Sequence, residues 1–236
     1  MFAALKMVFV FIALGAPAAI VGIPLSAIRG DFTVMYRWAM YIIKAGVKAG
    51  GITVKVVGLE NIPAGESCIF VSNHRSNLDP PVLIPAIPGM ASVFLKKSLM
   101  KIPLLGTAMR MAKYIPVSRG HEKEEARKSV EYAAQVLRDG LHIMMFPEGT
   151  RSIDGKLLPF KKGGFYLAAE TGAPMVPVVI RGTAEMMPKG TLKVLKAGTA
   201  VVEFLPAVRP GDYASKEELM EAVRGEMERA LAVVSA

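Results

Sequence analysis

From Ile52 onward the chain alternates short apolar runs with stretches of helical periodicity, and this alternation restricts the fold more than any other feature. Seven runs read as strands: 52–57, 67–72, 91–95, 114–117, 141–146, 175–180 and 200–205. In residues 122–138, Ala126, Val130, Ala133, Ala134 and Leu137 recur at helical spacing, Glu124 stands four before Lys128, and Gly140 follows the end. Residues 215–234 form a second helical pattern, opening on Ser215 with Glu218 three later, as in a capping box. Strands interleaved with helices specify an α/β layer architecture. A chain of 236 residues suffices for one such core and a short appendage.

The appendage lies at the N-terminus. Met7 to Ile28 is a run of 22 residues without a charge, roughly 33 Å as a helix and so about one hydrocarbon thickness. Pro17 and Pro24 are expected to interrupt it, and Gly15 and Gly22 to weaken it. Arg29, Arg37, Lys44 and Lys48 follow, so a spanning segment keeps the following domain on the cytoplasmic side. A cleaved signal peptide is the competing reading, but the run exceeds a usual signal-peptide core. Residues 32–49 mix aromatic and apolar side chains with Arg37, Lys44 and Lys48, which suits an interfacial helix. The expected division is therefore 1–50 as membrane-anchoring helices and 51–236 as the α/β domain.

A formal net charge of +9 combined with 52% hydrophobic residues points to an anionic membrane surface rather than to nucleic acid, for which no reader motif is present. A single cysteine, Cys68, excludes an internal disulfide and a cysteine metal site. It stands in the apolar run Ser67-Cys68-Ile69-Phe70-Val71, where a small buried side chain is expected. In 96–119, Met100, Met109 and Met111 are interleaved with Lys96, Lys97, Lys101, Arg110, Lys113 and Arg119. That stretch is either a core-facing helix with a solvated basic face, or a surface that meets lipid, or a wall of an acyl-chain tunnel beside phosphate-binding cations.

Two polar clusters carry chemistry. In Asn73-His74-Arg75-Ser76-Asn77-Leu78-Asp79 a histidine precedes an aspartate by five positions. Five residues place two side chains about 140° apart on an ideal helix. A turn is therefore needed, and the preceding strand and following Pro80-Pro81 supply its setting. There the carboxylate can accept the Nδ1–H of His74, fix its tautomer and stabilise the imidazolium, leaving the other nitrogen to take a proton from an alcohol. The second cluster, Phe146-Pro147-Glu148-Gly149-Thr150-Arg151-Ser152, follows the run Leu141 to Met145. Pro147 and Gly149 force a turn, Arg151 offers a fork of donors suited to phosphate, and Glu148 can accept from a substrate hydroxyl or hold a cation. Phe160-Lys161-Lys162 adds positive charge nearby. His121, in a polar turn, and His142, within a strand, lack such partners and read as structural.

With these residues the chain resembles the glycerolipid acyltransferase family, above all the 1-acyl-sn-glycerol-3-phosphate (lysophosphatidic acid) acyltransferases. The family's Asn-His-x4-Asp motif is matched by Asn73, His74 and Asp79, and its Phe-Pro-Glu-Gly-Thr-Arg-Ser motif by 146–152. Its Val-Pro-Val strand is similar to Val176-Pro177-Val178. Its Gly-x-Ile-Phe-Ile-x-Arg motif is kept only as Ile115 and Arg119. The likeness runs over roughly residues 50–205 and implies an α/β catalytic domain, a mixed sheet flanked by helices behind an N-terminal hydrophobic membrane-associating segment.

The resemblance further implies acyl transfer from acyl-CoA or acyl-carrier protein to the 2-hydroxyl of lysophosphatidic acid, giving phosphatidic acid. His74 would be the general base and Asp79 its orienter. Arg119, Arg151 and Lys161 would grip the acceptor phosphate. Glu148, Gly149 and Thr150 would shape the acceptor site, with Gly149 allowing close backbone approach. It implies no metal and no bound cofactor, with membrane lipids as partners at the cytoplasmic face of the membrane. Other readings are a different lyso-lipid acceptor such as a lyso-ornithine lipid, or a membrane-binding homologue without catalysis. A serine hydrolase, using Ser72 or Ser76, lacks its Gly-x-Ser-x-Gly elbow.

Overall fold

A computed structural model describes residues 2–102, 105–117, 123–191 and 193–233. All seven expected strands are present: β1 Ile52–Val57, β2 Ile69–Ser72, β3 Ala91–Lys96, β4 Ile115–Val117, β5 His142–Met145, β6 Met175–Arg181 and β7 Gly198–Phe204. They form one sheet in the order β1-β7-β6-β2-β5-β3-β4. β6, β2, β5, β3 and β4 are mutually parallel, whereas β7 runs antiparallel to β6 and carries β1 parallel to itself. The sheet is therefore mixed, as expected. β2 lies at its centre, paired on one side to β6 and on the other to β5.

Helices cover both faces, which is why the central strands read as unbroken apolar runs. Residues alternate between the faces with the period of two that a strand imposes. Cys68 and Phe70 enter one core with Met144, Val176 and Val178, while Ile69 and Val71 enter the other with Ile143, Met145 and Val179. Three N-terminal helices come first: α1 Phe2–Pro17, α2 Ile23–Arg29 and α3 Thr33–Ala49. After them come α4 Asp79–Leu83, α5 Leu105–Met111, α6 Lys123–Arg138, α7 Gly163–Thr171, α8 Thr183–Met186 and α9 Lys216–Ala232. Ala133 and Ala134 of α6, Phe165 of α7, and Leu219, Val223 and Met227 of α9 fill the second core. Ser215 caps α9, its Oγ accepting from the Glu218 N–H at 3.2 Å. The Glu218 carboxylate reaches back one residue further than an ordinary capping box, to the Ala214 N–H.

The N-terminal prolines do not break the helix. A π-helical segment, Ala18–Gly22, follows Pro17, and α2 continues directly from it with Pro24 near its start, Pro17, Gly22 and Ile23 all keeping right-handed helical backbone angles. The helical run Ala3–Arg29 has a mean hydropathy of 2.4, and by length and composition is able to cross a membrane. Met7 of α1 and Val47 of α3 join the first core. Phe9, Ile12, Trp38 and Tyr41 face outward, with Trp38 59% exposed. The stretch 96–119 is not one helix. It breaks into the end of β3, a 3-10 turn over Lys97–Lys101, α5 and β4, and Ala108 and Met111 of α5 pack on the N-terminal helices.

Candidate active site

The C-terminal ends of β2, β5 and β6 meet at one edge of the sheet, and the two polar clusters meet with them. β2 pairs with β5 through Val71 and Met145, so the loops that follow these strands start side by side despite seventy residues of separation. Asn73 continues β2 by side chain: its Nδ2 donates to the Ile180 carbonyl (3.0 Å) and its Oδ1 accepts from the Ile180 N–H (2.8 Å). The loop then turns back on itself around Asp79, the first residue of α4. Asp79 Oδ2 lies 2.8 Å from His74 Nδ1 and accepts the backbone N–H groups of Arg75 and Ser76, each at 2.7 Å. Its other oxygen, Oδ1, accepts from the Thr183 hydroxyl.

A carboxylate can only accept, so the nitrogen facing it carries the proton and Nε2 is the basic nitrogen of the neutral ring. The imidazole stacks on Phe146 at 4.0 Å between centroids and 17° between planes, which fixes the ring face. The pair is graded in burial, with the Asp79 side chain 1% and the His74 side chain 18% exposed. The carboxylate is thus sealed inside while the ring reaches the surface.

The 146–152 turn grips the same loop. Glu148, 4% exposed, accepts the His74 backbone N–H on Oε1 and the Leu158 N–H on Oε2, both at 2.9 Å. The Ser152 N–H donates to the His74 carbonyl at 2.8 Å. Both backbone polar groups of the histidine are therefore held by this turn. Burial pushes the Glu148 carboxyl above its ordinary range, against the pull of its two backbone donors.

Gly149 has φ +67, and a Cβ there would lie 2.6 Å from Lys161 Cε, so the glycine lets the lysine stem cross the turn. Thr150 is exposed beside it. Arg151 has its Nη1 buried without a hydrogen-bond partner, and its carbonyl accepts from Lys189 Nζ at 2.7 Å. Arg119 and His121 lie outside the described residues. His142 accepts the Cys68 N–H on Nδ1 (3.0 Å) and meets Phe70 edge-on, so it serves the core. Burial and the nearby Glu66 charge push the Cys68 thiol up to about 11, far from thiolate chemistry at neutral pH.

The structure also brings in residues that carry no motif of their own. Thr183, Ile180 and Lys189 all follow or end β6 and reach the loop only because β6 neighbours β2. A cleft of about 710 Å³ opens beside Arg75, between the end of β6, residues 154–157 and α9. Its cations, Arg75, Lys156, Arg181 and Arg224, face the carboxylates of Asp154, Glu185 and Glu228, so it has little excess charge.

A largely parallel α/β sheet presents a hydrogen-bonded His–Asp pair at its C-terminal edge, an arrangement chemically able to take a proton from a hydroxyl. More narrowly, the chain belongs to the Acyltransferase family, whose model matches residues 53–181. It is 35% identical over 183 residues to the chloroplastic 1-acyl-sn-glycerol-3-phosphate acyltransferase BAT2 of Brassica napus, covering 76% of this chain and 51% of the relative. It is 30% identical over 190 residues to the human 1-acyl-sn-glycerol-3-phosphate acyltransferase alpha, covering 80% and 67%. The chain spans about half the length of the plant relatives it matches. In structure it is similar to the 1-acyl-sn-glycerophosphate (LPA) acyltransferase PlsC of Thermotoga maritima, with a TM-score of 0.79, 28% identity, and coverage of 98% of this chain and 95% of that one.

Proposed function

We propose that this protein transfers a fatty acyl group from a thioester, acyl-CoA or acyl-carrier protein, to the 2-hydroxyl of lysophosphatidic acid, giving phosphatidic acid. The observation that carries the proposal is the His74–Asp79 pair, held by hydrogen bonds from both flanking loops with its ring at the surface. The names of the relatives support the choice of acceptor.

In this mechanism His74 Nε2 takes the hydroxyl proton as the acceptor oxygen attacks the thioester carbonyl. Asp79 steadies the imidazolium through Nδ1–H. The tetrahedral intermediate collapses with cleavage of the C–S bond, and the departing sulfur takes the proton back from Nε2, so base and acid are the same ring. The hydroxyl belongs to the substrate, so no enzyme serine is acylated. Arg151, with its unpartnered guanidinium nitrogen, and Lys161, across Gly149, supply the charge for the acceptor phosphate, joined by Arg119.

Replacing Arg151 with alanine is expected to raise KM for lysophosphatidic acid about ten- to hundredfold, the value of one charge-assisted hydrogen bond. KM for the thioester should hold, and turnover of a monoacylglycerol lacking the phosphate should be unaffected. A wild-type preference for the phosphate-free acceptor would remove the phosphate assignment.

The N-terminal helices seat the domain on the cytoplasmic face of a membrane, with Arg29, Arg37, Lys44 and Lys48 on the side that stays there. Phe9→Glu combined with Ile12→Glu alters outward side chains only, so folding should survive. Each apolar side chain removed from lipid costs about 1.5–3 kcal/mol, and co-sedimentation with anionic vesicles should fall at least tenfold. Unchanged sedimentation would transfer the anchoring role to residues 32–49.

A further inference from the structure

We propose that Thr183 is a positioning residue for proton transfer, acting through Asp79. The inference rests on His74 and Asp79 being the proton-accepting pair. Asp79 Oδ2 is saturated by His74 Nδ1 and the N–H groups of Arg75 and Ser76, and Oδ1 is held by the Thr183 hydroxyl. Thr183 is 2% exposed, so water has no ready route to replace that hydroxyl. Without it, Oδ1 becomes a buried acceptor with no donor, a state the carboxylate relieves by rotating. Rotation about the Cβ–Cγ bond carries Oδ2 away from Nδ1, and the imidazole loses the partner that fixes its tautomer.

The threonine is delivered by backbone geometry. Gly182 has φ +86, and a Cβ there would lie 2.2 Å from the Thr199 carbonyl, so only glycine allows β6 to turn this tightly into α8. The turn places Thr183 under Asp79, 104 residues away in sequence. The same segment is fastened to the catalytic loop at two further points. Asn73 makes its pair of bonds to Ile180, and the Ser76 hydroxyl donates to the Met187 carbonyl at 2.7 Å. The segment 180–187 therefore orients the acidic member of the pair from the β6 side, as Glu148 and Ser152 hold the histidine backbone from the β5 side.

The test compares Thr183→Val, which keeps the shape and removes the donor, with Thr183→Ser, which keeps the donor. In detergent and below the Tm of each protein, T183V should lose about ten- to hundredfold in kcat, as for a lost hydrogen bond to a charged group. KM for thioester and acceptor should stay within about twofold, and T183S within about threefold of wild type in kcat. The His74 Nδ1–H resonance of ¹⁵N-histidine-labelled protein should shift in T183V and return in T183S. Wild-type kcat in T183V, or a loss that T183S fails to restore, overturns the proposal. If His74→Ala retains activity, the underlying reading of the pair fails instead, whatever Thr183 does.

Discussion

His74→Ala is expected to lower acyl transfer by about a thousandfold, within the range of general acid–base contributions, while leaving fold and vesicle binding intact. The fold should survive for local reasons. The ring is partly exposed and stacks on Phe146, so its loss opens a surface notch rather than a sealed cavity. Asp79, the buried charge, keeps three of its four donors: the N–H groups of Arg75 and Ser76 and the Thr183 hydroxyl. Chemistry, by contrast, should lose the group proposed to take the hydroxyl proton and return it to the leaving sulfur. The measurement is kcat with lysophosphatidic acid and acyl-CoA alongside Tm and vesicle co-sedimentation. Turnover at the wild-type rate would remove His74 from the mechanism.

Glu148→Ala should harm both stability and activity, and this separates it from His74→Ala. Its carboxylate answers two buried backbone donors, from His74 and Leu158. Removing it strands both N–H groups, at about 1–3 kcal/mol each, and a loss near 3 kcal/mol lowers Tm by roughly 6–12 °C in a chain of this size. The histidine backbone is released on one side, so kcat should fall at least a hundredfold, by the sensitivity of proton transfer to misplacement. Glu148→Gln sharpens the test. It retains one acceptor oxygen but turns a donor toward the other N–H, so it should fall between alanine and wild type in Tm. A Glu148→Ala protein with unchanged Tm and a raised acceptor KM would instead make Glu148 a direct contact of the acceptor.

Much of this was legible in the residues. The central strands were visible because burial on both faces leaves continuous apolar runs, and α6 and α9 because their apolar periodicity is intact. His74 and Asp79 were paired from spacing and turn context, and the structure has them in contact. The inward turn of Glu148 was not legible. A carboxylate beside an arginine and a lysine suggests a substrate or cation partner, and only the adjacency of β2 and β5 shows that backbone N–H groups occupy it. Thr183 and Lys189 gave no signal, since their roles depend on β6 lying beside β2. The N-terminal prolines misled for the opposite reason. Local propensity opposes a helix there, but the helical run passes through both Pro17 and Pro24 by way of the π-helical segment Ala18–Gly22.

The central claim is that the activated nucleophile is the hydroxyl of the acceptor and not water or an enzyme serine. The most direct measurement follows thiol release from acyl-CoA or acyl-carrier protein by the detergent-solubilised protein, with and without lysophosphatidic acid, and identifies the lipid product by mass. The account predicts thiol release that requires the acceptor, matches phosphatidic acid mole for mole, and disappears in His74→Ala. Release at the same rate without acceptor, with free fatty acid as product, would contradict it.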